Sequence, residues 1–145
     1  MTLLEILSVK GNKVHSIGPD ATLLDVAVRL VENHCGSLIV CDPRMARGTV
    51  IGIVTERDLL RAAARNEGSL QNLHVRDYMT SALVTARPHD SIDDAMGIMT
   101  EHRIRHLPVM DGDELVGLIS IGDVVKTQHH QTMQENHYLK SYIQS

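Results

Sequence analysis

The sequence predicts an α+β fold made of one supersecondary unit used twice, and three observations predict it. The word Gly-x-x-(Ser/Thr)-x-x-Asp occurs as Gly52-Ile53-Val54-Thr55-Glu56-Arg57-Asp58 and again as Gly117-Leu118-Ile119-Ser120-Ile121-Gly122-Asp123. Upstream of these copies, Pro19 and Pro88 stand 69 positions apart, and so do the capping-box pairs Thr22-x-x-Asp25 and Ser91-x-x-Asp94. Each half also runs in the order strand, helix, strand, strand, helix by its apolar periodicity. One β-α-β-β-α unit would leave an apolar sheet face exposed. Two units packed back to back, with pseudo-two-fold symmetry, would cover each other.

Composition narrows the function classes. A chain of 145 residues buries roughly 68–70% of its unfolded surface, enough for a core without staples. The net charge of −4 supplies no positive field to recruit phosphate backbones, which argues against nucleic acid. There is no Trp or Phe to stack bases, and the aromatic residues are Tyr78, Tyr138 and Tyr142. No apolar run approaches the length of a membrane span, and no signal peptide is evident. Cys35 and Cys41 fall close to one predicted strand, where extended geometry keeps them apart. They read as free thiols in a reducing compartment, most simply the cytoplasm.

In order, Leu3, Leu4 and Leu7 share a face of a first helix that Gly11-Asn12 stops. Val14 to Ile17 is a short strand, ended by the turn Gly18-Pro19-Asp20. Thr22 starts a helix whose apolar face is Leu23, Val26, Ala27, Leu30 and Val31, and Gly36 marks its end. Ser37 to Cys41 is a buried strand, Asp42 to Gly48 a polar turn, Thr49 to Val54 the next strand, and Glu56 to Arg65 the next helix. In the second half Leu83-Val84-Thr85 is the strand, and Ile92, Ala95, Met96 and Met99 are the helix face. Leu107 and Val109 then match Leu38 and Val40. The turn Asp111-Gly112-Asp113 is shorter than its counterpart, so the second Gly-x-x-(Ser/Thr)-x-x-Asp trails the first by 65 positions rather than 69. The expected boundaries are 1–68 for the first repeat with the N-terminal helix, 69–128 for the second, and 129–145 for a C-terminal helical tail.

Further words support the duplication: Glu56-Arg57-Asp58-Leu59, Val75-Arg76-Asp77-Tyr78-Met79-Thr80, and His102-Arg103-Ile104-Arg105-His106-Leu107-Pro108-Val109-Met110-Asp111. None is specific alone. Together, ordered and duplicated, they resemble a pair of cystathionine-β-synthase (CBS) domains, a Bateman module, over residues from about 10 to 128. The chain looks like the stand-alone CBS-pair proteins. The resemblance implies an adenosine-containing ligand (AMP, ADP, ATP or NAD(H)) held between the repeats, a homodimer, an unknown downstream effector protein and no required metal.

By resemblance, Asp58 and Asp123 take the ribose, Thr55 and Ser120 lie beside phosphate, and Met79 and Val84 flank an adenine with their equivalents Lys10 and His15. Arg57 in one cleft, and Arg105 and His106 in the other, are the candidates to neutralise phosphate; Ser37 stands at the start of the strand in the first. Where the second repeat has Ile104-Arg105-His106-Leu107-Pro108, the first has Cys35-Gly36-Ser37-Leu38-Ile39, so the two clefts are not equivalent. An ionised carboxylate accepts hydroxyl hydrogen bonds roughly twice as strong as a neutral acceptor does, and a helix N-terminus favours anions. The same spacing has a second meaning: Thr55-x-x-Asp58 and Ser120-x-x-Asp123 are also capping boxes. Met79 and Val84 fit core packing equally.

Two rival classes stand beside this. An enzyme has little support, because no nucleotide-loop, hydrolase or metalloprotease motif occurs and His102 and His106 straddle a helix end and a strand. A ligand-free dimeric interaction scaffold is the stronger rival, since fold alone does not imply function.

Overall fold

The computed structural model describes residues 1–145 apart from Asn12, Arg47, Gly48 and Ser145. The expected stop at Asn12 and the end of the turn at Arg47 and Gly48 lie outside the described residues. The chain forms two compact units, one of Met1–Asn12, Val84–Met110 and Val116–Ser145 and one of Lys13–Leu83 with Asp111–Leu115.

The unit of the first repeat is built on three strands, β1 (Ser16–Ile17), β2 (Ser37–Cys41) and β3 (Val50–Thr55). β1 lies parallel to β2, with Ile17 opposite Val40. β2 lies antiparallel to β3, with Ser37 opposite Thr55 and a bulge at Val40/Cys41. Helix α2 (Leu23–Asn33) crosses between β1 and β2. Thr22 caps it, accepting from the Asp25 amide at 3.1 Å while the Thr22 amide donates to Asp25 Oδ2 at 2.9 Å. His34 closes α2 in the left-handed region, at φ 52°, two residues before the expected stop at Gly36. Leu23, Val26 and Leu30 of α2 pack on Leu38, Val40 and Val54 of the sheet, with Ala62 of helix α3 (Glu56–Arg65) and Val75 of the short helix α4 (Val75–Tyr78). Val31, expected on that apolar face, is instead 74% exposed.

In the unit of the second repeat, α5 (Ile92–His102) packs with the hairpin of β4 (His106–Asp111) and β5 (Glu114–Ser120). Ile92, Ala95 and Met99 are buried with Leu107, Val109 and Ile119, and Met96 is only partly buried. The strand expected at Leu83–Thr85 does not form; a single parallel bridge joins Ala86 to Val109. The expected tail is one with the repeat's last helix, since α6 runs unbroken from Ile121 to Gln144.

The N-terminal helix α1 (Leu3–Lys10) folds with the second repeat, although the sequence groups it with residues 1–68. The Leu3 amide donates to Asp90 O at 2.9 Å, and Leu3, Ile6 and Leu7 join the core of that unit; Leu4, expected on the same face, is 42% exposed. In the other unit α4 does the same work, its Val75 amide donating to Ala21 O at 2.9 Å. Bridges Thr2–Ser91 and His74–Thr22 fix the equivalence of α1 and α4 at 72 positions. Leu7, not Lys10, therefore stands where Met79 stands, which corrects the equivalence drawn from the 69-residue offset.

This explains the glycine that opens each repeated word. A Cβ on Gly52 would meet Met79 Sδ at 2.8 Å and Thr80 O at 3.0 Å; one on Gly117 would meet Leu7 Cδ2 at 2.7 Å. Both glycines let an α1/α4-type segment lie against the hairpin.

Candidate functional site

In the first repeat the end of β3 runs straight into α3, so Thr55 is both a strand residue and an N-cap. Asp58 Oδ2 accepts from the Thr55 amide at 2.8 Å and from the Thr55 hydroxyl at 3.3 Å. Asp58 is 6% exposed. Arg61, one turn along α3, brings a guanidinium nitrogen to 3.7 Å from Asp58 Oδ1, beyond hydrogen-bond distance. Burial pushes the Asp58 carboxyl up from its ordinary value, and the Thr55 hydrogen bonds with the charges of Arg61 and Arg57 offset that only in part.

Ser37 lies opposite Thr55 across the β2–β3 ladder. Directly paired residues of an antiparallel ladder share a sheet face, so its side chain stands on the Thr55 face. It is 3% exposed, and its hydroxyl has no hydrogen-bond partner among the described residues. A buried polar group left unpaired costs about 1–3 kcal/mol, so such an atom calls for an explanation.

The second repeat reproduces this corner with one addition. Asp123 Oδ2 accepts from the Ser120 amide at 2.8 Å and from its hydroxyl at 2.9 Å. Lys10, the last residue of α1, adds its ammonium at 2.6 Å from the same oxygen and at 2.7 Å from Leu118 O. Burial acts to raise Asp123, but the Lys10 ammonium and the Ser120 donors outweigh it and hold the carboxyl below its ordinary value. The two matching aspartates are thus shifted in opposite directions.

The remaining candidates divide between the units. Arg57 is exposed on the first turn of α3. His15 precedes β1, and its carbonyl accepts from the Ile39 amide at 3.0 Å. Met79 is partly buried against the first core, its sulfur over Gly52. Arg105 is exposed, with its carbonyl accepting from the Ile121 amide at 2.8 Å; His106 opens β4; Val84 packs against the second core. The structure therefore brings Ser37, Thr55 and Asp58 together in one unit and Ser120 and Asp123 together in the other. Sequence reasoning missed Arg61, whose three-residue spacing from Asp58 on a helix was a readable signal. It gave Lys10 a different role, because no local pattern links it to Asp123, 113 residues away.

A cleft of about 440 Å³ opens elsewhere in the first unit, lined by residues such as Gly18, Arg29, Cys41 and Met45, and it includes none of the candidates. Among the described residues no group of three His, Cys, Asp or Glu could hold a metal ion, and no helix is long and apolar enough to cross a membrane.

The model of the CBS domain matches twice, at residues 8–65 and 75–130. The chain is 33% identical over 149 aligned residues to the mitochondrial CBS domain-containing protein CBSX3 of Arabidopsis thaliana, covering 99% of this chain and 72% of that one. It is similar in structure to a CBS-domain containing protein from Agrobacterium tumefaciens, at TM-score 0.82 and 38% identity, covering 88% of this chain and 99% of that one. It is also similar to a CBS domain protein from Pyrobaculum aerophilum complexed with AMP, at TM-score 0.75 and 30% identity, covering 85% of this chain and 89% of that one. Two matched repeats, each ending in a capped Ser/Thr–Asp corner, place the chain in the CBS-domain family as a tandem pair.

Proposed function

We propose that this chain is a regulatory sensor of adenine nucleotides, AMP, ADP, ATP or NAD(H), and that it performs no chemistry. The observation that carries the reading is the corner of Ser37, Thr55 and Asp58: a buried hydroxyl without a partner among the described residues pairs across the ladder with the threonine that bonds a buried carboxylate. A ribose diol donates to such a carboxylate, and a phosphate oxygen accepts from hydroxyls and from the amides that open α3. Arg57 in the first repeat, and Arg105 and His106 in the second, supply positive charge or donors for phosphate. Met79 and His15 in the first repeat's unit, and Val84 in the second's, offer apolar or ring contact to an adenine held in their own unit. The AMP complex of the Pyrobaculum aerophilum relative supports an adenosine ligand.

Regulation would work by linkage: a nucleotide that prefers one arrangement of the repeats shifts its population, with a coupling of about 1–3 kcal/mol. The free thiols of Cys35 and Cys41 suit a reducing compartment, the cytoplasm. A second copy of the chain is the proposed first partner, and a separate effector protein the second. Leu24, Val28 and Val31 support self-association, since they form an exposed stripe at helical spacing along α2.

Thermal unfolding with AMP, ADP, ATP, NAD+, NADH and GTP, each in excess, tests the reading. Ligand at 100 times its dissociation constant adds about 2.7 kcal/mol of stability, a rise of several degrees. A rise confined to adenosine compounds is expected. No rise with any of them would leave the interaction scaffold as the better reading.

A further inference from the structure

Resting on the nucleotide reading, we propose that the two corners are unequal ligand sites and that Lys10 makes them so. Nucleotide goes first to the Ser37–Thr55–Asp58 corner, and Lys10 weakens the Ser120–Asp123 corner.

Asp123 Oδ2 already accepts three hydrogen bonds, two from Ser120 and one from Lys10. A ribose diol binds by donating to this carboxylate, so it must compete with an ammonium at 2.6 Å that also neutralises the charge. Lys10 is not a loose competitor. It ends a helix whose Leu3, Ile6 and Leu7 are buried, and it is bonded to Leu118 O as well as to Asp123. Its backbone is held in place by the buried helix, and displacing the ammonium breaks two hydrogen bonds.

The first corner has the opposite balance. At the 72-residue offset of α4 from α1, the counterpart of Lys10 is Ala82, whose methyl side chain carries neither a charge nor a donor. Asp58 accepts from the amide and hydroxyl of Thr55, and Arg61 stands off at 3.7 Å. The Ser37 hydroxyl is buried on the same face and has no partner among the described residues. A ligand there satisfies a group that has no partner among the described residues, whereas a ligand at Asp123 first breaks bonds the protein already makes. Lys10 is thus a residue that decides which repeat takes the nucleotide first.

Calorimetric titration with AMP tests this on the full chain, with folding of each variant checked by circular dichroism. The wild type is expected to bind one AMP per chain tightly and a second more weakly. Ser37→Ala and Asp58→Asn should each weaken the tight site by roughly tenfold. Ser37→Ala keeps the test valid if loss of the Asp58 cap unfolds its variant. Lys10→Met should tighten the second site by up to about fivefold, the change that about 1 kcal/mol sets, and the double variant Lys10→Met/Asp123→Asn should lose that gain. Two equal AMP sites in the wild type, or no tightening in Lys10→Met, overturns the inference while leaving the nucleotide reading intact. Absence of AMP binding, together with no thermal shift from any adenosine nucleotide, overturns both.

Discussion

Asp58 and Asp123 sit in the same local pattern and carry different chemistry. Each takes hydrogen bonds from the hydroxyl residue three positions earlier, so the capping reading of the spacing holds for both. What differs comes from outside the pattern: burial near Arg61 for one, an ammonium 113 residues away for the other. Because the folded Asp123 carboxyl is held low, its contribution to stability is present above its unfolded pKa and is lost as pH falls through the folded value. Asp58, raised by burial, has the opposite sign: its contribution is present below its unfolded pKa and disappears as pH rises through the folded one. Lys10→Met should therefore cost up to about 1 kcal/mol at pH 7, the range for a partly exposed pair. That cost should shrink as pH falls through the lowered folded value of Asp123, below the ordinary carboxylate range. Urea unfolding at pH 7 and at a series of acid pH values checks this, and a gap that stays constant down to acid unfolding would show that the Lys10 charge is not what stabilises.

At the scale of elements, the pairing of α1 with the second repeat and α4 with the first depends on two glycines. Gly117 and Gly52 are each buried where a helical segment crosses the hairpin. Gly117→Ala would press a methyl group against the buried Leu7 side chain, and overpacking of this kind costs about 1–3 kcal/mol. A fall in unfolding midpoint without a change in denaturant slope is the expected result. A double variant Gly117→Ala/Leu7→Ala that loses less than the sum of the two single changes would place the fault at that contact. The helices α2, α3 and α5 were legible from capping boxes and apolar spacing, and β2 from its unbroken run of apolar residues. Val84 and Thr85 have strand propensity, yet Leu83–Thr85 pair with no strand among the described residues; the one bridge lies a residue further on, at Ala86. Likewise Val31 and Leu4 fit a helical stripe by spacing, yet tertiary packing buries a narrower one.

For the whole molecule, self-association is the open property with the clearest handle. Val31 is 74% exposed and Leu24 and Val28 are each near half-exposed, so the α2 stripe meets water in the isolated chain. Val31→Glu should shift a dimer toward monomer in light scattering while leaving the circular dichroism spectrum unchanged. A wild type that is already monomeric, or a variant dimer as stable as the wild type, would rule this face out.

The sequence by itself determined the duplicated α+β plan, most of the elements and the Ser/Thr–Asp corners, because each is encoded within a few residues by caps, period and turn chemistry. Only the tertiary structure decided that α1 belongs with the second repeat, that Ser37 is left without a partner among the described residues, and that Lys10 reaches Asp123. These depend on which distant surfaces pack together, and no local pattern of residues records a contact made across most of the chain.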